Sequence, residues 1–378
     1  MRLQTVLALL LCLGCGGDDD ASDADAALDA SIGAIDSGVE LDAGFVDTGV
    51  ADVGADTGSD SGDGDAGSDS GGVDAGPQRV PLFVAIGWGG RHLISCDGGR
   101  SWTNDTFESE EDDWHQTFTP KSLAYHDGLF VRMTGWGTDS TVHSSRDGVN
   151  WTSVTLEGVR AGAVGYDDRW IALTGRRVYE SSDAQTWNEV EGVEGARLNR
   201  DGRVEAGIWV SGTDGVVRFH RGEDWVDLES CEGSRHGSIG VHGGFAASED
   251  RIVSFGDEGF TCVVDRTSGA DLGAGEMGTD RIQGVGARIG DEFWLASNDT
   301  LYRSPDGLEW RSAALPDGVR MNLVAAGDGI VVGANRNGDA FYYSDDSGAT
   351  WNAAEGPEGN NLYRIVFGWA EPSDECPL

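Results

Sequence analysis

From about residue 79 onward, hydrophobic and polar positions alternate in short runs. Examples are "GLFVRMTGWG" (128–137), "RWIALTG" (169–175) and "GIWVSGTDG" (207–215). Each run is cut by glycine, aspartate or asparagine. A period of two predicts strands with one face on a core, and the cutting residues predict tight turns. No stretch sustains the 3.6-residue period of an amphipathic helix. The pattern therefore predicts an all-β body of many short strands.

One turn recurs. Ser95-x-Asp97-x-Gly99-x-x-Trp102 is matched in full by Ser344-x-Asp346-x-Gly348-x-x-Trp351. A form one residue shorter runs from Ser145 through Asp147 to Trp151 and from Ser304 through Asp306 to Trp310. "SSDAQTW" keeps Ser181, Asp183 and Trp187 without the glycine, and "HRGEDW" keeps only Trp225. "CVVDRTSGADL" (Cys262–Leu272) stands where one further copy belongs. The tryptophans are separated by 49, 36, 38, 85 and 41 residues, and 85 is two periods. The period is about 41, which makes seven units. Self-similarity at that length predicts a propeller or solenoid, and about 40 residues is the size of a four-stranded blade.

The first unit starts late, at "RVPLFVAIGWGG", and lacks the segment preceding "GLFVRMTGWG" in the second. The chain finishes on "NNLYRIVFGWA", which aligns with "PKSLAYHDG". The last strand is thus expected to supply the inner strand of blade one, removing an open edge. The predicted fold is an all-β seven-bladed β-propeller over residues 79–378, closed by its C-terminal strand.

The turn resembles the Asp-box, or bacterial neuraminidase, repeat of the sialidase-like propeller superfamily. With seven blades the body is nearest to the photosystem II assembly-factor-like and xyloglucanase-like propellers. The resemblance implies that the box lies between the third and fourth strands. Its Asp would accept turn amides, its Trp would pack between blades, and its face would lie opposite the usual active site. It speaks for fold far more than for function. Sialidases need three arginines, a Tyr–Glu pair and an acid/base aspartate. "QRVPLF" lacks the aromatic that precedes their first arginine, and Ser95 follows Arg79 too closely. Sialidase chemistry is therefore disfavoured. A xyloglucanase-like site needs two tandem propellers, and one is present here.

The first 78 residues differ in kind. "MRLQTVLALLLCLGCGG" has a short positive start, an apolar run too brief to span a bilayer, and Leu13-Gly14-Cys15. It resembles a lipoprotein signal peptide (1–14), with cleavage leaving Cys15 to carry lipid. Ordinary signal-peptidase cleavage, with a plain thiol at Cys15, is the alternative. Residues 15–78 form an acidic Asp/Ala/Gly/Ser tether; 18–78 hold 16 Asp and one Glu, with no Lys or Arg. It resembles the linkers of myxobacterial surface lipoproteins. Such composition does not collapse, and ~60 flexible residues reach roughly 40–50 Å on average. "DSGDGDAG" (60–67) alternates acids but lacks the closing Glu of an EF-hand loop. The whole chain carries a formal charge of −40. So acidic a body disfavours nucleic acid and anionic lipid as general partners, leaving membrane contact to the lipid anchor.

No metal-protease, P-loop or nucleophile-elbow motif occurs, and no cofactor, metal site or catalytic set is assigned. His115 in "ESEEDDWHQ" sits among carboxylates, where a solvated acidic loop is preferred to a divalent-ion site. Two patterns fall on the expected mouth face. Arg160, Arg197, Arg235, Arg281 and Arg320 each precede the inner strand of successive blades, as in "EGVRAG" and "DGVRMN". At one level they would form a cationic ring suited to carboxylate, sulfate or phosphate. The bland reading is that each pairs with acids of its own turn. Trp88 and Trp136 occupy equivalent places on adjacent blades, with Trp114 between them, and could stack sugars.

Removal of Cys12 and lipidation of Cys15 would leave Cys96, Cys231, Cys262 and Cys376, with three connectivities open. The predicted strand order favours Cys231–Cys262 at the mouth and Cys96–Cys376 at the ring closure. The overall expectation is an exported Gram-negative envelope lipoprotein acting as a binding or scaffolding module. Its partner would be an anionic or carbohydrate ligand, or an envelope protein. The rivals are a glycan-active hydrolase, using a tyrosine such as Tyr125, Tyr166 or Tyr363, and an assembly factor for an envelope complex.

Overall fold

The computed structural model describes residues 78–106, 122–135, 139–174, 177–191, 201–205, 208–213, 216–221, 224–227, 244–256, 259–278, 284–359 and 361–378. Its strands make seven four-stranded antiparallel sheets. Sheet I joins Val80–Gly87, His92–Ser95 and Thr103–Thr106 to the C-terminal Leu362–Ala370. Sheets II to VII follow in chain order, their first strands being Leu123–His126, Ala161–Asp167, Asp201–Glu205, Phe245–Ala247, Ala287–Ile289 and Leu323–Gly327. Each of these first strands neighbours the next, and Leu362–Ala370 lies between the first strands of sheets VII and II. The body is a β-propeller whose first strands surround the axis.

The C-terminal strand pairs with Val80–Gly87 from Val80↔Ala370 to Gly87↔Leu362. The ends of the body are therefore zipped together inside one sheet. Antiparallel order then divides the two faces. Turns between third and fourth strands and between first and second strands share one face, the box-turn face. The opposite mouth face carries the loops between second and third strands and those between sheets. The chain enters at Val80 and leaves after Ala370 on the box-turn face. There a disulfide joins Cys96 to Cys376, with Cα atoms 5.6 Å apart.

The recurring turn is a hydrogen-bond device. Ser95 Oγ donates to Asp97 Oδ1 at 2.9 Å and accepts the Gly99 amide at 2.8 Å. Asp97 Oδ1 accepts the amides of Arg100 and Ser101. Asp147, Asp183, Asp306 and Asp346 do the same in their own turns. The Thr350 hydroxyl and amide and the Ser344 hydroxyl hold Asp346 down at about 2. Where the pattern loses its serine and tryptophan, Asp265 still accepts the amides of Thr267 and Ser268.

The box glycine has two physical reasons. It sits at positive φ, 72° at Gly148 and 78° at Gly307, which side chains rarely adopt. It also lies against the second strand of the preceding sheet. A Cβ at Gly148 would stand 2.5 Å from Leu82, and one at Gly307 2.4 Å from Val253. Ala184, which replaces the glycine in sheet III, keeps φ at 58° and is fully buried. The tryptophans fill the same seams: Trp102 stacks on Phe341 of sheet VII, and Trp310 meets Phe255 of sheet V edge-on.

Nearer the axis, small residues of one first strand take aromatic rings from the neighbouring sheet. Phe367 covers Gly327, Tyr125 covers Gly368 and Phe255 covers Gly286. Side chains there would meet the ring at under 2.4 Å. At these three seams the sheets interlock through alternating large and small positions.

Candidate functional site at the mouth face

Trp88 stands at the mouth on a single 3-10 turn, Trp88–Gly90, linking the second and third strands of sheet I. Gly89 and Gly90 take φ of 69° and 72°, so the turn can fold tightly enough to lift the indole outward. The residue is 37% exposed and its amide donates to the Asn361 carbonyl at 2.8 Å.

Two buried arginines brace that turn from below. Arg91 is fully buried. Its Nε and Nη2 donate to the two carboxylate oxygens of Asp105 at 2.7 and 3.1 Å. Nη1 and Nη2 also reach the carbonyls of Gly338, between the second and third strands of sheet VII, and Pro357, just after its fourth, at 3.2 and 3.1 Å. Arg91 therefore staples the seam between the first and last sheets. Arg132 of sheet II donates to the Gly90 carbonyl at 3.1 Å and lies over the Trp151 ring at 4.9 Å. Beside it sit His92 and His143. Burial, with Arg132 adding repulsion, pushes His92 down to about 4 and His143 to about 3. Both imidazoles are neutral at pH 7. Thr106 bonds His92, and Thr134 and Ser153 bond the two nitrogens of His143.

Of the five arginines expected around the mouth, Arg160 and Arg320 fall among the described residues, each just before a first strand. They are not equivalent. Arg320 is exposed, whereas Arg160 is half-buried, with Nε and Nη2 withdrawn from solvent. The two heads therefore differ in exposure. Arg197, Arg235, Arg281, Trp114 and Trp136 lie outside the described residues, as do Cys15, His115 and Cys231. Cys262 is disulfide-bonded.

Two of the tyrosines considered for hydrolysis serve the scaffold at the box-turn face. The Tyr125 hydroxyl donates to the Trp369 carbonyl at 2.9 Å and accepts the Gly128 amide at 3.0 Å. The Tyr166 hydroxyl donates to the Asp168 carbonyl at 2.9 Å, and its ring stacks on His126. Tyr363 is half-buried, and burial pushes its hydroxyl up despite nearby Arg336. Among the described residues, no group of three His, Cys, Asp or Glu could hold a metal ion.

A second polar feature lies deeper. A cavity of about 220 Å³ is lined by the first strands of sheets VI, VII and I and by residues just before Ala287, and so by the wall of the axial channel. Its polar side chains are Arg288 and Arg364, and its remaining lining includes Val285, Leu323, Val324 and Phe367. Sequence reasoning missed Arg91, Arg132, Arg288 and Arg364.

Residues 250–362 match the family described as "DUF6242 beta propeller domain". No curated protein matches the chain. A solved structure described as "YCF48 bound to D1 peptide" is 16% identical, with a TM-score of 0.48, over 62% of this chain and 80% of that one. A computationally designed protein, Ika8, is 17% identical, with a TM-score of 0.49, over 74% of this chain and 85% of that one.

Proposed function

We propose that the chain is a lipid-anchored, seven-bladed Asp-box propeller that acts as a binding or scaffolding module of a Gram-negative envelope. The seven sheets are its blades, Cys15 is its anchor, and residues 15–78 are its tether. The mouth face is the binding face, and its ligand is anionic or a carbohydrate. Trp88 offers an aromatic platform and Arg320 a charged fork.

One observation carries this reading. Chain entry, chain exit, the Cys96–Cys376 bond and the box turns all occupy one face. The other face carries an exposed tryptophan whose turn is braced by two buried arginines. A rigidly held exposed aromatic favours binding because little entropy is lost on contact. The scaffold roles of Tyr125 and Tyr166 count against the hydrolase reading.

The test is a glycan array probed with the full chain. Trp88→Ala and Arg320→Ala should each weaken binding to the best hit about tenfold, or 1.4 kcal/mol. Arg146→Ala, on the box-turn face, should leave it unchanged. Equal binding by all three variants, or no glycan bound by the native chain, would overturn the proposal.

A further inference from the structure

A groove of about 430 Å³ lies in the seam between sheets VI and VII. Its walls come from Thr300–Ser304 and Arg311–Ala314, the third and fourth strands of sheet VI, and from the box turn of sheet VII. That volume is in the range of small-molecule sites, which are mostly apolar with a few placed polar groups. The apolar lining comprises Leu301, Ala313, Leu315, Pro316, Ala349 and Trp351. Ala313, Pro316 and Ala349 are exposed and Trp351 is half-buried, so apolar surface there is open to a ligand.

Arg303 and Arg311 line the same groove and stand directly opposite each other on their two strands. Like charges so placed destabilise a sheet. Glu292 pairs with Arg311, and the lining itself holds no acidic residue. Among the described residues Arg303 makes no ion pair and uses one nitrogen: Nη2 donates to the Gly348 carbonyl at 3.0 Å. Its Nε and Nη1 make no hydrogen bond there, and neither is shut off from solvent. Burial holds Arg303 below its ordinary pKa, while Glu292 pulls it up and Arg311 pushes it down. The guanidinium carbon lies 3.7 Å from the centre of the Trp294 ring. That stacking and the Gly348 bond fix the head before a ligand arrives, which lowers the entropy lost on binding.

We infer that this groove binds a small monocarboxylate with an apolar body, its carboxylate on Arg303 and its body against Ala313, Pro316 and Trp351. A carboxylate accepting from Nη1 supplies the acceptor that Arg303 lacks and offsets the repulsion between the two arginines. Two arginines with one carboxylate leave one charge to balance, which calls for a monoanion. The apolar walls call for an apolar body, which sets this ligand apart from inorganic phosphate. The inference goes beyond the mouth reading and uses none of its residues. Acid binding and glycan binding are separate measurements on separate residues, so either can fail alone.

Isothermal titration of the full chain with naphthoate and with octanoate is the direct test, the two arms separating an aromatic from an aliphatic body. The native chain should bind at least one of them, and about tenfold more tightly than acetate or octanol, which carry the charge or the apolar body alone. Arg303→Met should weaken that binding about tenfold. Arg303→Lys should weaken it several-fold, because an ammonium keeps the charge and loses the stacked plane. Ala313→Glu, at an exposed position, should weaken it about tenfold by repelling the carboxylate and filling the groove. Arg146→Ala should bind as the native chain does. Should Arg303→Met fail to fold, as judged by circular dichroism, Ala313→Glu carries the same test. Absence of binding to either acid, equal binding of acetate or octanol, or binding left intact by Arg303→Met or Ala313→Glu would overturn the inference.

Discussion

Replacing Arg91 with Met removes the charge while keeping a long apolar side chain in the seam between sheets I and VII. The native guanidinium is fully buried, and the Asp105 side chain is 18% exposed. The variant strands that carboxylate in a poorly solvated place and takes donors from the Gly338 and Pro357 carbonyls. Breaking one side of a buried ion pair costs about 3–5 kcal/mol, and each carbonyl left without a donor adds about 1 kcal/mol where water cannot enter. These costs overlap, so about 4 kcal/mol is expected. The assay is urea unfolding followed by tryptophan fluorescence and circular dichroism together, so that coincident transitions justify a single free energy. Asp105→Asn should cost less, because the two carbonyls still hold the guanidinium. The double variant should be at least ~2 kcal/mol more stable than the sum of the single effects predicts, since it leaves no uncompensated charge. A cost below about 1 kcal/mol for Arg91→Met, or simple additivity, would refute the view that this residue staples the seam.

Gly148→Ala should destabilise by about 2–4 kcal/mol, because the site combines a φ of 72° with a 2.5 Å approach to Leu82; thermal unfolding would show it. Joint replacement of Cys96 and Cys376 by Ser opens a loop closed across 280 residues, for which chain entropy gives about 5.6 kcal/mol. Denaturant midpoints should fall accordingly, and an unchanged midpoint would show that strand pairing alone holds the ends. His92 and His143 have folded values below the ordinary 6.5, at about 4 and about 3. Protons therefore bind the unfolded chain first, and the stability from keeping these rings neutral is full above about pH 6.5 and lost as pH falls toward 4. Down to pH 4.5 each should account for about 2–3 kcal/mol, and His143→Gln should flatten the slope of unfolding free energy against pH.

The repeated turn was legible because its chemistry is local. A serine, an aspartate and the amides they bind lie within a few residues, so the same bonds reappear wherever the spacing does. The closing strand was legible for a related reason: one unit lacked a segment that the chain's end supplied. The braces of the mouth were not legible in this way. Arg91 reaches partners 247 and 266 residues away, and nothing beside "GGRHL" announces them. Arg288 and Arg364 become neighbours only once three first strands surround the axis. The mouth arginines illustrate the opposite case. Similar sequence contexts suggested equal heads, yet Arg160 is half-buried and Arg320 exposed, a difference that the repeat does not announce.

The strand Leu362–Ala370 has a consequence for biogenesis. It is the last described strand to leave the ribosome, and it completes the first sheet to be made. Until then sheet I has three strands and an open edge, and nascent chains expose such edges to wrong partners. Closure therefore follows synthesis of the final strand, and for an exported chain it follows complete translocation. Cys376 lies six residues beyond that strand, so oxidation to Cys96 becomes a record that the ring has closed. A nascent chain arrested before residue 362 should remain protease-sensitive throughout sheet I, however well its later sheets have formed.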